Sequence, residues 1–120
     1  MRGKKRLTKT EQYTAVYRGG GSRIDHLLVM RMLPNGLDYS RPGISVSKRV
    51  GNAVIRNRVK RLIRGNLRQT RIKAGWDVVF LARVPAGNAG YVQIGNAVRN
   101  LLSRAGILIS ENDQAGFNTD

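Results

Sequence analysis

Residues 53–73 combine apolar and basic side chains with helical periodicity, and this pattern constrains the fold more than any other part of the chain. At about 100° per residue, one side of such a helix is a continuous apolar stripe. The stripe consists of Ile55, Val59, Leu62, Ile63 and Leu67. The opposite side carries Asn57, Arg61, Arg64 and Arg68, flanked by Arg56, Arg58 and Lys60. We therefore predict a long helix that follows the N-cap residue Asn52, buries its stripe against another layer and exposes its cations.

The basic residues are concentrated in this region. The chain has 120 residues, with 22 Lys plus Arg, 7 Asp plus Glu and a net charge of +15. Ten of the basic residues lie between Lys48 and Lys73, where there is no acid. Such a segment repels itself unless a polyanion or counterions neutralise it. Its excess of Arg over Lys suits bidentate phosphate contacts, whereas an ordinary solvated helix carries both signs of charge. The predicted partner is a nucleic acid.

Turn signals and hydrophobic periodicity divide the rest of the chain into elements. We predict a helix over 9–18, with Thr8 and Glu11 spaced as a capping box, ended by a turn at residues 19–22. Residues 27–33 and 43–48 look like two antiparallel strands, and residues 77–84 form a third. A last helix over 91–105 ends at Gly106. This order indicates an α+β fold, an α/β sandwich in which one central sheet is covered by helices.

Length and composition bound the rest. Residues 1–110 fit a single domain, and the acidic tail 111–120 is expected to be disordered. The chain contains no Cys, which is typical of an intracellular protein. No apolar run approaches the ~20 residues that a membrane span needs. We expect a cytoplasmic protein that has neither a membrane partner nor a small-molecule substrate.

Residues suited to catalysis are scarce. His26 is the single histidine, and Asp25, Asp38 and Asp77 are scattered over different predicted segments, so no paired carboxylates for a metal are apparent. Arg and Lys stabilise charge but are poor general bases at neutral pH. We predict neither catalytic nor metal-binding residues in the protein. Two rings one helical turn apart, Tyr13 and Tyr17, can either stack unpaired bases or seal the core, and the pattern leaves both open.

The segment from Gly43 to Arg64, GISVSKRVGNAVIRNRVKRLIR, closely resembles the signature of the bacterial ribonuclease P protein component. The resemblance extends over about residues 4–105 and centres on the Arg-Asn-Arg motif at residues 56–58. It implies a fold like the second domain of ribosomal protein S5. It also implies an unusual left-handed crossover through the long helix, where the general rule expects a right-handed one.

The resemblance further implies a function. In such enzymes a large RNA with Mg²⁺ cuts precursor tRNA at its 5′ end, and the protein is an accessory subunit that binds this RNA and the single-stranded 5′ leader. The residues expected to face the ribonuclease P RNA are Lys48, Arg56, Asn57, Arg58, Arg61, Arg64 and Arg68. Those expected to line the leader cleft between the first helix and the sheet are Tyr13, Tyr17, Ser45, Arg49 and Lys60. Arg31 departs from the pattern, since some relatives have a cleft tyrosine there.

Three other functions stay open on the sequence. A ribosomal protein or general RNA chaperone would share the charge without needing a leader cleft. A DNA-binding module is disfavoured because no helix-turn-helix pattern is evident. A protein-only nuclease would need catalytic groups that the sequence does not offer.

Overall fold

Three α-helices and four strands make up the part of the chain that the computed structural model describes, residues 6–109. The helices are α1 (Thr10–Gly19), α2 (Ala53–Arg68) and α3 (Tyr91–Arg104). The strands are β1 (Gly21–Ile24), β2 (Leu28–Pro34), β3 (Arg41–Ser45) and β4 (Trp76–Ala82). A 3₁₀ helix, Val84–Asn88, joins β4 to α3. The tail 111–120 lies outside the described residues.

The strands form one mixed sheet in the order β1-β2-β4-β3. β2 is antiparallel to both β1 and β4, whereas β3 is parallel to β4. The predicted α+β fold with one central sheet is confirmed. Because β3 and β4 are parallel neighbours, α2 forms the crossover between them, and the left hand implied for this crossover stays a prediction.

The two faces of the sheet are covered by different helices. Val78 and Phe80 of β4 are fully buried in the main core, together with Ile63 of α2 and Leu101 of α3. Val79, which points to the opposite face, lies in a smaller cluster with residues from α1 and the segment before it. β4 is therefore buried on both sides, as its uninterrupted apolar sequence predicts.

The two strands on either side of β4 are antiparallel, as predicted, but they are not neighbours in the sheet. The segments predicted over 27–33 and 43–48 run in opposite directions, but β4 lies between them, so they are not paired. β3 also begins and ends earlier, at Arg41–Ser45. Local sequence patterns do not reveal that β4 pairs with both strands, because β4 begins more than 30 residues after the end of β3.

α2 is shorter than predicted because the chain after it pairs elsewhere. The helix ends at Arg68 rather than at residue 73. Ile72 forms a β-bridge with Leu108, and the N–H of Lys73 donates to the carbonyl of Ile107 at 2.8 Å. The backbone groups of residues 71–73 therefore pair with the segment that follows α3. α3 ends at Arg104, one residue before the predicted end, and the predicted stop Gly106 follows the C-cap residue Ala105 with a φ of 77°.

The start of the chain also differs in detail. Gln12, not Glu11, closes the first turn of α1, since its side-chain oxygen accepts from the backbone N–H groups of Thr8 at 2.9 Å and Lys9 at 3.0 Å. The predicted turn over 19–22 contains the beginning of β1. β1 is mostly exposed and lacks apolar alternation, so its pairing with β2 leaves no sequence signal.

Candidate nucleic-acid interface

The side of α2 that faces away from the core carries a row of four polar residues. Val59 and Ile63 are fully buried, whereas the residues of this outer row are exposed: Asn57, Arg61, Arg64 and Arg68. The predicted N-cap is confirmed, because the Oδ1 atom of Asn52 accepts from the N–H of Ile55 at 3.0 Å. At ~1.5 Å per residue the outer row extends about 16 Å, the length of several consecutive phosphates.

Within residues 6–109, the outer row has no acidic partner. Among residues 6–109 the single ion pair joins Arg41 and Asp77, 2.8 Å apart. Arg61, Arg64 and Arg68 make neither a side-chain hydrogen bond nor an ion pair with any residue in that range. Their charge is therefore available to an external anion, and Arg offers the fork geometry that matches a phosphate.

Two arginines that flank the outer row bind the protein's own backbone. Arg58 donates to the carbonyl oxygens of Gly87 at 2.7 Å and Ala89 at 3.0 Å. Arg56 donates from Nε to the carbonyl of Gly51 at 3.1 Å. Both side chains are half-buried. Arg58 thus ties α2 to the 3₁₀ helix, a structural role that the sequence does not reveal.

A cleft of about 590 Å³ opens between α2, the edge strand β3 and the segment that leads into α1. The N–H of Leu7 donates to the carbonyl of Pro42 at 2.9 Å, which holds that segment along the outer edge of β3. The cleft combines cations, one aromatic ring and apolar walls. Its lining residues are Arg6, Leu7, Thr8, Tyr13, Pro42, Gly43, Ile44, Arg64, Leu67 and Arg68. Two arginines of the outer row therefore also reach this cleft.

Tyr13 and Tyr17 have different surroundings. The Tyr13 ring packs against the smaller core cluster and lies directly on β3, because a Cβ at Gly43 would come within 2.7 Å of the Tyr13 hydroxyl. Tyr17 is 38% exposed, with its ring centroid 6.4 Å from that of Tyr13. The Tyr13 ring therefore packs on the smaller core cluster and also lines the cleft, whereas the Tyr17 ring is more accessible to solvent.

Arg31 lies on the α1 side of β2 and holds the end of α1. Its Nη2 group donates to the carbonyl of Tyr17 in the last turn of that helix. Its Nε atom is buried and has no partner. A cation at a helix C-terminus also interacts favourably with the helix dipole. Arg31 therefore holds the last turn of α1, which carries Tyr17.

The remaining predicted residues surround these groups but do not line the cleft. Ser45 is half-buried on β3, in register with Leu81, and Lys60 is half-buried on α2. Lys48 and Arg49 are exposed in the loop before α2. Of the five residues predicted to bind the leader, only Tyr13 lines this cleft.

Sequence reasoning missed Arg6 and Thr8 as cleft residues. They reach the cleft through the hydrogen bond from Leu7 to Pro42, 35 positions along the chain, so no local signal identifies them.

A buried carboxylate stiffens the strand that forms one wall of the cleft. Burial alone raises the pKa of Asp77, but hydrogen bonds from Arg41 and Asn35 outweigh burial, so its pKa is below the ordinary value. Both Oδ atoms accept from the Arg41 guanidinium at 2.8 Å, and this contact raises the pKa of Arg41. The pair joins β3 to β4 beside Pro42 and Gly43.

Within residues 6–109, no group of three or more His, Cys, Asp or Glu side chains is placed to hold a metal ion. His26 is exposed. Asp25 lies apart from Asp77 and binds the side chain of Asn100. None of the helices in this range is long and apolar enough to cross a membrane.

Comparison with known proteins agrees with this geometry. The family model described as Ribonuclease P matches residues 1–106. The ribonuclease P protein component of Dehalococcoides mccartyi (strain CBDB1) is 45% identical over 120 residues, with both chains fully covered. That of Clostridioides difficile (strain 630) is 44% identical over 108 residues, which cover 88% of this chain and 95% of the relative.

Solved structures of the same kind are similar in fold. The RNase P protein of Staphylococcus aureus has a TM-score of 0.78 at 34% identity, covering 88% of this chain and 98% of that one. The RNase P protein of Thermotoga maritima has a TM-score of 0.76 at 30% identity, covering 82% of this chain and 96% of that one.

The fold and its outer row define a small α+β protein with an arginine-rich helix whose outer row has no acidic partner in the part of the chain that the structure describes. The chain belongs to the ribonuclease P protein component family. The resemblance found in residues 43–64 is thus confirmed. Membership implies a role in tRNA 5′ processing within an endoribonuclease complex, and it implies the ribonuclease P RNA as partner.

Proposed function

We propose that this protein is the accessory subunit of a ribonuclease P in which the RNA breaks the bond. The protein binds the catalytic RNA and the 5′ leader of precursor tRNA, and it assists the Mg²⁺-dependent cut that gives the mature 5′ end. The observation that carries the proposal is the outer row of α2, whose three arginines have no carboxylate partner within residues 6–109.

The physical task is to bring two polyanions together. Catalytic RNA and precursor tRNA repel each other, and both Mg²⁺ and protein cations reduce that repulsion. The outer row, with Lys48, Arg56 and Arg58, contacts the catalytic RNA in this proposal. Arg58 contributes the guanidinium donors that its two backbone carbonyls leave free.

The cleft is the proposed site of the leader. Its volume of about 590 Å³ admits a nucleotide, Arg64 and Arg68 supply positive charge, and Tyr13 offers a ring for stacking. Tyr17, Ser45, Arg49 and Lys60 border the path of the leader beyond this cleft. Leader contacts select precursor over mature tRNA, since mature tRNA lacks the segment.

Mg²⁺ is held mainly by the RNA in this proposal. Arginine cannot ligate a cation, and within the outer row Asn57 alone carries an oxygen that can. The proposed compartment is the cytoplasm, where precursor tRNA is available.

The decisive experiment mixes the purified protein with the ribonuclease P RNA of its own organism and a precursor tRNA at low Mg²⁺. We expect cleavage at the mature 5′ end with both components, and no cleavage with protein alone or with RNA alone at that Mg²⁺ concentration. Cleavage by protein alone would identify a protein nuclease. Binding that never stimulates cleavage would favour a general RNA chaperone, and a preference for duplex DNA would favour a DNA-binding module.

Charge reversal tests whether the outer row contributes more to RNA-dependent cleavage than other basic residues on the surface do. The double variant Arg61→Glu, Arg64→Glu should raise the Mg²⁺ needed for half-maximal cleavage, because RNA-bound cations must then replace the lost charge. The double variant Arg99→Glu, Arg104→Glu, at two exposed positions of α3, is the charge-matched control. Equal Mg²⁺ requirements for all three proteins would contradict the proposed role of α2.

Ring removal tests the leader contact. Tyr17→Ala should weaken binding of precursor tRNA to the holoenzyme much more than binding of mature tRNA, by roughly 5- to 100-fold if the ring stacks on one base. Tyr17→Phe should bind both as the wild type does. Equal losses for both tRNAs would leave Tyr17 as a packing residue.

A further inference from the structure

Tyr91, the first residue of α3, brings a second aromatic surface to the exposed side of α2. Its side chain is 41% exposed, and its hydroxyl donates to the carbonyl of Gly65 at 3.3 Å. A Cβ built at Gly65 would lie 3.2 Å from Cε1 of the ring. Gly65 lowers the helix stability of α2. Because it has no side chain, the Tyr91 ring can pack directly on the helix backbone there.

Hydrogen bonds from a buried side chain hold the backbone of Tyr91 in place. Asn66 is 4% exposed, and its Nδ2 group donates to the carbonyl of Tyr91 at 3.0 Å and to that of Leu62 at 2.9 Å. The chain just before Tyr91 is fixed by the bonds from Arg58 to Gly87 and Ala89. A ligand that stacked on this ring would lose little free energy in ordering it.

The ring borders the outer row on the side of α2 away from the cleft. Arg61 lies one turn before Gly65, on the same surface as the ring. Arg68, three residues after Gly65, lies between the ring and the cleft, which it lines together with Arg64 and Leu67. An exposed ring among cations without acidic partners suits a ligand that has both a flat π surface and negative charge.

We propose that Tyr91 is a stacking platform for an unpaired base of the RNA that α2 binds, separate from the leader cleft. The inference rests on the proposed function, because it assigns a new contact to the same RNA-binding surface. An apolar protein partner fits less well, since it would remove the neighbouring guanidinium groups from water without compensation.

The test measures the Kd of the full chain for the ribonuclease P RNA of its organism over a range of NaCl concentrations. Tyr91→Leu should weaken binding by roughly 5- to 100-fold, with an unchanged slope of log Kd against log salt, because a ring is lost and no charge. Tyr91→Phe, which keeps the ring, and Val92→Ala, at a neighbouring residue that is 68% exposed, should bind within about twofold of the wild type.

The outcomes separate the inference from the proposed function. Failure of the wild type to bind the RNA would overturn the proposed function. Normal wild-type binding with an unaffected Tyr91→Leu variant would overturn the platform alone, and so would equal losses in Tyr91→Leu and Tyr91→Phe.

A second measurement needs no substitution and so does not depend on how well a variant folds. The four tyrosines of the wild-type chain are nitrated with and without the RNA and quantified by mass spectrometry. The RNA should slow nitration of Tyr91 severalfold. An unchanged rate at Tyr91 would overturn the platform.

Discussion

Gly95 and Gly65 lie on facing helices, and substitution by alanine is expected to destabilise the protein at Gly95 but not appreciably at Gly65. A Cβ at Gly95 would come 2.3 Å from Oδ1 of Asn66, a buried side chain that two hydrogen bonds hold in place. At Gly65 it would meet only the edge of the Tyr91 ring, at 3.2 Å. Helix propensity alone would favour Ala at both positions by about 1 kcal/mol.

We therefore predict that Gly95→Ala lowers the free energy of unfolding by about 2 kcal/mol, because displacing Asn66 costs more than the gain in helix propensity. Gly65→Ala should stay within about 1 kcal/mol of the wild type, since the partly exposed ring can shift. Urea unfolding at fixed salt measures both. A Gly95→Ala protein as stable as the wild type would mean that the two helices are not packed this closely.

Single residues also show what sequence reasoning could and could not supply. The exposure of Arg61, Arg64 and Arg68 follows from helical periodicity, so it was predictable from spacing alone. The bonds of Arg58 were not, because its acceptors lie 29 and 31 positions away and become neighbours only after the chain has folded. Helical periodicity identifies the exposed face of α2. It does not distinguish an arginine that hydrogen-bonds to the protein's own backbone from one that is available to an external anion.

At the scale of elements, α2 carries two kinds of arginine. Arg58→Gln should lower both the free energy of unfolding, by about 1–2 kcal/mol, and the affinity for RNA, because it removes bonds to two backbone carbonyls. Arg61→Gln should lower the affinity for RNA and leave unfolding within about 0.5 kcal/mol of the wild type. Chemical unfolding and RNA titration of the same samples test this. Equal stability of the two variants would contradict a structural role for Arg58.

The ion pair between Arg41 of β3 and Asp77 of β4 predicts how the stability of the fold depends on pH. The pKa of Asp77 is lowered in the folded state. The contribution of Asp77 to the free energy of unfolding is therefore complete above its unfolded pKa of about 4, and it is lost as the pH falls through the lower folded pKa. Asp77→Asn should cost about 3 kcal/mol at pH 7 and should flatten the decline below pH ~4. Asp38→Asn, in an exposed turn, should cost less than about 0.5 kcal/mol at pH 7. Parallel curves for the wild type and Asp77→Asn would contradict this assignment.

Elements with a strong internal pattern were predictable from the sequence, and elements defined by their partners were not. α2, α3 and β4 have continuous apolar periodicity that matches their burial. β1 is recognisable only through its pairing with β2. The cleft beside β3 shows the same limit, because one of its walls is the segment that the hydrogen bond of Leu7 attaches to β3.

For the whole molecule, the excess of positive charge opposes folding. The net charge is +15, and residues 6–109 contain a single ion pair. Salt at ~0.5 M screens repulsion over distances that ~0.05 M leaves unscreened. Raising NaCl between these concentrations should therefore increase the melting temperature. A triple variant, Arg61→Gln, Arg64→Gln, Arg68→Gln, should gain less from the salt. Equal gains would mean that the outer row contributes nothing to the repulsion.

The positions of the sheet edges determine where a spectroscopic reporter can be attached. β3, with the cleft, forms one edge of the sheet, and β1 forms the opposite edge. The turn after β1 contains the exposed His26, and the chain has no cysteine of its own. His26→Cys therefore provides a unique thiol, and a dye coupled there would follow assembly by fluorescence from the edge of the sheet opposite the proposed leader site.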